Sequence, residues 1–499
     1  MTWYNIEMSE RLVKSRFFLR FSEILVPLIT WTIITFPLWM SPFHPAVVAY
    51  FIIAFDLYFF YKSLSTAYLS AVSFQQIFVH GRINFSKRIS QLHQTKTINH
   101  FVVIPNYKEP LHKLEKTIAN IINNDLPYKN ISIMLAFEAR ETQAKQKERY
   151  LRKKYGHHCK EFMTSYHELI DGEEPGKASN QTFAVKIIDE FCKKRGLDRK
   201  DILITICDAD SIFPKNYSSY LTYEYLKDKD RLYHFYWAPL LLYNNFWQLP
   251  FFIRIQATLS SILRLAFLSQ KEDLIQISTY STNLWLLKQI NFWDANIIPE
   301  DWHVYFQAFF TFGEKVKTLP LYTIVNGDAV YSGGLSKTLI NRYEQEKRWA
   351  WGVSDIAYTI KKFFSTPHIK PGIKLRKIFY LMETHLFWPT SFFILTLSAS
   401  IPPLVNPIFK RTVLGFLLPK LSGLVLTVSS LLLIAYIYID IKLRKKVNVY
   451  TKPISLPLLI VQWYLLPFIS FLLSSLPALE SHTRLLFGKK LKYKVTEKV

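Results

Sequence analysis

Apolar residues gather in long runs toward the two ends of the chain and break into short alternating stretches between them. The runs 21–40 and 44–61 are each long enough to cross a bilayer, which takes about 20 residues. Further runs of that kind fall at 378–399, 418–439 and 454–477. The first is too long for a secretory signal, and no small-residue cleavage site follows it. From about residue 95 to 362 the pattern becomes that of short strands and amphipathic helices. Strands are expected at 101–105 (Phe-Val-Val-Ile-Pro), 131–137 and 202–207, with helices at 111–122 and 180–194. That alternation predicts βαβ units on a mostly parallel sheet, with ligands at the carboxyl ends of the strands. The segment 246–268 is nearly apolar enough to span, but Arg254 and Arg264 lie inside it. Each would cost about 2.5–3.5 kcal/mol at a bilayer centre, so the segment reads as a helix on the membrane face of the central domain. A second such helix is expected at 353–364.

Composition agrees. Of 499 residues, 50% are hydrophobic and 16% aromatic, and the formal net charge is +24. A surplus of that size raises nucleic acid as a partner, yet no nucleic-acid module is present. The cations cluster beside the apolar runs instead: Arg11, Lys14, Arg16 and Arg20 before the first, and Lys442, Arg444, Lys445 and Lys446 after the fourth. Positive-inside bias and anionic headgroups account for them. Trp31, Trp39, Trp388 and Trp463 are candidate interfacial anchors. Cys159, Cys192 and Cys207 have no metal-ligand spacing and read as reduced thiols, Cys207 in a strand core. Asp56 and Glu383 sit inside apolar runs, where two readings stand: a polar conduit, or a buried pair that sets helix packing.

Four motifs carry the chemistry. Ile104-Pro-Asn-Tyr-Lys-Glu109 ends one strand and Asp208-Ala-Asp210 ends another, both where a site is expected. Two carboxylates two residues apart can hold a divalent cation that also grips phosphate oxygens, or the pair is a plain strand-end turn. A similar pair, Asp228-Lys-Asp230, follows a helix in a charge run and reads as a solvated turn. Glu300-Asp301 opens a helix running to about Phe312. Asp301 is either a first-turn acid complementing the helix dipole or a general base. Gln345, Arg348 and Trp349 share one helix face. A guanidinium there can neutralise a diphosphate and an indole can stack on a sugar ring, or the face is ordinary amphipathic surface. Lys177, in Pro175-Gly-Lys, is a further candidate diphosphate cation; the Gly spacing of a Walker loop is absent.

In this order the motifs resemble those of the membrane-integrated inverting glycosyltransferases of family 2, the group of cellulose, chitin and hyaluronan synthases. The resemblance covers about residues 95–362. It implies an α/β GT-A catalytic domain, a Rossmann-like mixed sheet, within a multi-pass helical membrane protein, together with a nucleotide-sugar donor and Mg²⁺ or Mn²⁺. It implies a membrane region over 1–94, the catalytic domain over 95–362, further spans over 363–485 and a candidate gating tail over 486–499. It further implies that Tyr107, Glu109 and Glu138 contact the nucleoside, Lys177 and Asp208 the nucleotide, and Asp208 and Asp210 the metal. Asp301, beside Glu300, would be the base, with Gln345, Arg348 and Trp349 at the diphosphate and acceptor. Lys108 replaces the usual Asn, Pro299 the usual Thr, and Glu138 stands where the family often has an Asp for the base.

The tail Tyr493-Lys-Val-Thr-Glu-Lys498 is similar to the gating loop of cellulose synthases, which implies that Thr496 and Lys498 reach the bound nucleotide. That needs a cytosolic terminus, so one apolar run must be re-entrant, interfacial or split, and the proline-bearing 454–477 is the expected one. The resemblance leads to extension of a β-linked polysaccharide at the plasma (inner) membrane with the catalytic domain cytosolic. Ceramide-type transfer of one sugar to a lipid is the second reading. A non-catalytic channel or scaffold on a decayed transferase fold is the third.

Overall fold

The computed structural model describes residues 15–92, 97–126, 130–450, 457 and 461–493. Arg11, Lys14, Thr496, Lys498 and part of the 454–477 run lie outside the described residues. The chain divides into two compact units. One comprises Met1–Ala71, Leu249–Ala266 and Gly333–Lys492, and the other Val72–Gln248, Phe267–Ser332 and Tyr493–Val499.

The first unit is helical. Among the described residues four helices are long and apolar enough to cross a membrane: Arg16–Met40, Pro45–His80, Val413–Lys446 and Gln462–Leu486. A fifth candidate is the pair Pro371–Thr396 and Ser398–Val405, bent by 45°. That pair breaks at Leu397, while residues 454–456 and 458–460 of the last apolar run, where the sequence places the split, lie outside the described residues. From Gln462 the described part of that run continues through a short 3₁₀ start and a π turn at Phe471–Ser475, so Pro467 and Pro477 do not end the helix.

Polar groups in these helices are used internally. Asp56 accepts from Ser422. Glu383 accepts from Tyr58 at 2.7 Å and pairs with Lys62 at 2.9 Å. The two acids thus have separate partners, each tying helices together. Trp31 and Trp388 donate their indole N–H groups to Thr483 and Ser474, and only Trp39 of the four expected anchors is an exposed side chain. Arg444, read from sequence as a headgroup cation, is buried and pairs with Asp440 one helical turn earlier, at 2.8 Å.

The second unit is built on a seven-stranded mixed sheet. Its strands are β1 (Asn99–Asn106), β2 (Ile131–Glu138), β3 (Phe162–His167), β4 (Ile202–Ile206), β5 (His234–Trp237), β7 (Tyr280–Asn283) and β8 (Lys317–Pro320). β6 (Leu240–Leu241) and β9 (Val325–Asn326), which follows β8, form a small separate ladder. The order is β3-β2-β1-β4-β7-β5-β8. β1, β2 and β4 are covered on both faces, which is why their sequences read as continuous apolar runs without alternation. β1 runs parallel to β2 and to β4, so all three end at one edge. β7 is antiparallel to β4, with Ile206 opposite Tyr280. The residues just before β7 therefore meet the carboxyl end of β4, and the third expected strand ends one residue early, at Ile206, with Cys207 N still donating to the Val103 carbonyl at 3.0 Å. All three cysteines are free and buried.

His100 in β1 fixes this sheet to the helix Tyr217–Lys227. Thr222 donates to the Ser218 carbonyl at 2.8 Å, so its oxygen accepts from His100 Nε2, also at 2.8 Å. Burial pushes the imidazole down to about 4. An unfolded histidine titrates near 6.5 and takes up its proton first, so stability is lost as pH falls from 6.5 toward 4. The loss approaches about 3 kcal/mol at about 1.4 kcal/mol per unit. His100→Gln keeps an N–H donor but cannot charge. Its melting temperature, measured in detergent from pH 7.5 to 4.5, should fall less steeply than that of the wild type.

Candidate active site

The carboxyl edge of the sheet brings together residues from four segments. The helix Lys177–Lys194 is the crossover from β3 to β4, so its amino end lies at that edge. Lys177 Nζ donates to Asp208 Oδ1 at 2.8 Å and to the Ser278 carbonyl at 2.7 Å, and lies 3.3 Å from Glu300 Oε1. Burial opposes the ammonium charge, but Asp208 and Glu300 outweigh it and hold the pKa well above the usual lysine value. A cation thus stands ready between a strand-end carboxylate and a helix-start carboxylate.

Asp301 is held by backbone. Its Oδ2 accepts from Ser278 N at 2.9 Å and its Oδ1 from Trp302 N at 2.9 Å. Ser278 has φ 65°, a left-handed conformation that costs a non-glycine residue about 1–2 kcal/mol. In that conformation its N–H serves Asp301 while its carbonyl serves Lys177. Gln276 braces the same loop, donating to the Asp301 carbonyl at 2.9 Å and accepting from Thr318 of β8 at 2.8 Å. Burial first, and the neighbouring Asp301 charge second, push the Glu300 carboxyl up to about 7, with Lys177 opposing. Burial also raises Asp301, against the two N–H donors and Lys177. The two carboxyls titrate as a pair.

Asp210 is buried on the turn after β4, and its Oδ2 lies 3.3 Å from Asp328 N. Asp328 in turn pairs with Lys113 at 3.0 Å. Neither partner was evident in the sequence, because each lies far from the motif along the chain. Among the described residues no group of three or more His, Cys, Asp or Glu side chains is arranged to hold a metal by itself. Two carboxylates on one turn nevertheless suit a hard divalent cation that completes its shell with phosphate oxygens and water. The lookalike Asp228 is not a solvated turn: it accepts from His234 at 2.6 Å and Tyr236 at 2.7 Å, a structural use.

At the ends of β1 and β2, Glu138 accepts from Arg140 Nε at 2.6 Å, and the Arg140 guanidinium lies 4.3 Å from the centre of the Tyr107 ring. Tyr107 and Glu138 are thus brought together, through an arginine the sequence reading left out. Lys108 has φ 59°, where asparagine is more at ease, and its N–H is held by Glu141 at 2.8 Å. The Glu109 carbonyl accepts from Lys147 at 2.6 Å. Beside Lys177, Gly176 has φ 139°, and a Cβ there would stand 2.8 Å from the ring of Tyr493. Tyr493, the first residue of the gating-like motif, therefore packs directly on this loop, while Thr496 and Lys498 lie outside the described residues. Gln345, Arg348 and Trp349 lie on the helix Leu335–Ala350 of the helical unit.

No protein-family model matches the chain, and no curated protein matches it. Among solved structures it is similar to the mannosyltransferase PcManGT from Pyrobaculum calidifontis in complex with GDP-Man and Mn²⁺, at 13% identity and a TM-score of 0.39, covering 76% of this chain and 98% of that one. It is also similar to residues 1–349 of S. aureus TarS in complex with UDP-GlcNAc, at 11% identity and a TM-score of 0.33, covering 70% of this chain and 92% of that one. Likeness at this level says nothing about substrate, and what the site can do rests on its own residues.

Lys177→Met leaves three neighbouring carboxylates without their shared cation. Losing one partner of a buried pair costs about 3–5 kcal/mol, and the partial exposure of this one favours the lower figure. The melting temperature at pH 8 should drop clearly, and the deficit should shrink at pH 5.5, because protonating the raised Glu300–Asp301 pair removes the repulsion. An equal deficit at both values would show that the ammonium is not neutralising them.

Proposed function

We propose that this chain is a membrane-integrated glycosyltransferase that moves a sugar from a nucleotide diphosphate donor, a UDP-sugar, to an acceptor hydroxyl with inversion. The observation that carries the reading is the Lys177 ammonium between Asp208 and Glu300, with Asp301 clamped beside it by two backbone N–H groups. Such an edge offers a counter-charge to a leaving diphosphate and a fixed oxygen to take a proton. Tyr107 with Arg140 and Glu138 would receive the nucleoside, next to Glu109, and Lys177 and Asp208 the diphosphate. Asp210, with Asp208, would hold Mg²⁺ or Mn²⁺, which when bound supplies charge neutralisation to the diphosphate.

Asp301 takes the proton of the acceptor hydroxyl as its oxygen forms a bond to the anomeric carbon. The bond from that carbon to the diphosphate oxygen breaks, and the diphosphate leaves with the electron pair. A single displacement of this kind needs one base and inverts the centre. Burial raises the pKa of this base, so the acid-side fall in rate is expected at higher pH than an ordinary aspartate would give. Gln345, Arg348 and Trp349 keep the acceptor and diphosphate roles that the family resemblance implies.

The acceptor is proposed to be a growing β-linked polysaccharide. The packing of Tyr493 on Gly176 favours this over a lipid acceptor, because it brings the start of the gating-like tail to the diphosphate loop. The spanning helices would place the enzyme in the plasma (inner) membrane with its sheet unit in the cytosol.

Two substitutions separate the roles. Asp210→Asn should lower transfer at least 100-fold and weaken Mn²⁺ binding measured in the presence of UDP, while Asp301→Asn should lower transfer as much but leave donor affinity within about threefold. Collapse of donor affinity in Asp301→Asn, or unchanged Mn²⁺ binding in Asp210→Asn, would refute these assignments.

A further inference from the structure

The helix Leu335–Ala350 carries a fourth residue on the face of Gln345 and Trp349. Arg342 precedes them by three and seven positions, and Glu346 follows it by four, so all four side chains share one stripe. Arg342 is among the largest fully buried side chains, with 1% of its surface exposed. Its guanidinium donates through Nη1 to Gln345 Oε1 and through Nη2 to Glu346 Oε1, and it lies 4.6 Å from the centre of the Trp349 ring. Gln256, from the helix Phe251–Phe267, donates to the same Glu346 oxygen, and Arg264 of that helix lies 5.4 Å from the Trp349 ring.

Neutralising Glu346 takes only one edge of a guanidinium. The other edge and the planar face are occupied by Gln345 and Trp349, the two residues given to the acceptor. Arginine only donates, so the Gln345 oxygen must turn toward it and the amide NH₂ is left as the group Gln345 presents. The cation over the indole fixes the plane of that ring. We propose that Arg342 is a positioning residue: it sets the amide orientation of Gln345 and the ring plane of Trp349, so that the pair offers a hydrogen-bond donor beside a stacking surface to a saccharide hydroxyl. This rests on the glycosyl-transfer reading and deepens it. The helix Phe251–Phe267, which the sequence reads as a helix on the membrane face, supports the pair through Gln256 and Arg264.

The test must separate positioning from neutralisation of a buried charge. R342M alone leaves Glu346 only the Gln256 amide and the charge of Arg264, and is expected to be less stable. R342M/E346M removes both charges together, an exchange that is often neutral or stabilising for buried ion pairs. R342K keeps the charge without the fork. Full-length proteins in nanodiscs would be given UDP-glucose, UDP-GlcNAc and UDP-glucuronic acid labelled in the sugar. Released UDP reports donor cleavage, and label in polymer or lipid extract reports transfer. For the donor used by wild type, R342M/E346M should melt within a few degrees of wild type and keep UDP release to water and donor KM within about threefold. Its transfer should be at least tenfold down, and that of R342K several-fold down. Wild-type transfer in R342M/E346M or in R342K would overturn the proposal, since Arg342 would then only neutralise Glu346. Should wild type release no UDP from any of the three, the underlying reading falls first and this one with it.

Discussion

The sheet unit is organised around one buried cation. Lys177 is the first residue of a crossover helix, yet its ammonium closes the gap between the end of β4, the loop before β7 and the start of the helix Glu300–Phe312. Asp208, Glu300 and Asp301 are drawn close together, burial and the neighbouring charges raise the pKa of Glu300 and Asp301, and a shared positive charge offsets that repulsion in a poorly solvated edge. The left-handed Ser278 and the hydrogen-bonded Gln276 are consequences of it, because they hold the loop that supplies one carbonyl to the lysine and one N–H to the aspartate.

The helical unit deals with charge in another way. Asp440 with Arg444, Asp56 with Ser422, and Glu383 with Lys62 and Tyr58 each find partners within the unit. The same logic operates on the helix Leu335–Ala350. Arg342 and Glu346 pair on one stripe, while Lys347 reaches Glu480, which also accepts from Tyr343 at 2.7 Å. Ser481 donates to the Lys347 carbonyl at 2.6 Å. The motif helix is thus pinned to the final apolar helix on one side and to the helix Phe251–Phe267 on the other. Gln345 and Trp349 on it are held by the guanidinium of Arg342 as well as by packing.

β1, β2 and β4 were legible as apolar runs, and helices at 111–122, at 180–194 within the observed Lys177–Lys194, and from Glu300 to Phe312 were legible as well. β3, β5, β7 and β8 were not. β7 reads Tyr-Ser-Thr-Asn, a polar string that is buried because β4 and β5 cover both its edges and its hydroxyls find partners such as Thr205 and the His234 carbonyl. Asp228 looked like a solvent turn because the residues that use it, His234 and Tyr236, come after it in a strand too short to announce itself. Arg140, Arg342 and Asp328 were missed for a related reason: each acts through a neighbour in space.

Local order was decided by the sequence alone. Hydrophobic period, helix starts and the polar residues that end each apolar run depend on neighbours a few positions away, and they placed Asp208 and Asp210 at a strand end and Asp301 in a first helical turn. Which charges face one another was decided only by tertiary structure. Lys177 meets Asp208 across 31 positions and Ser278 across 101, and Gln256 meets Glu346 across 90. Contacts at that separation follow from strand order, from the antiparallel entry of β7 and from helix packing, because burying a charge is tolerable only where folding delivers its partner.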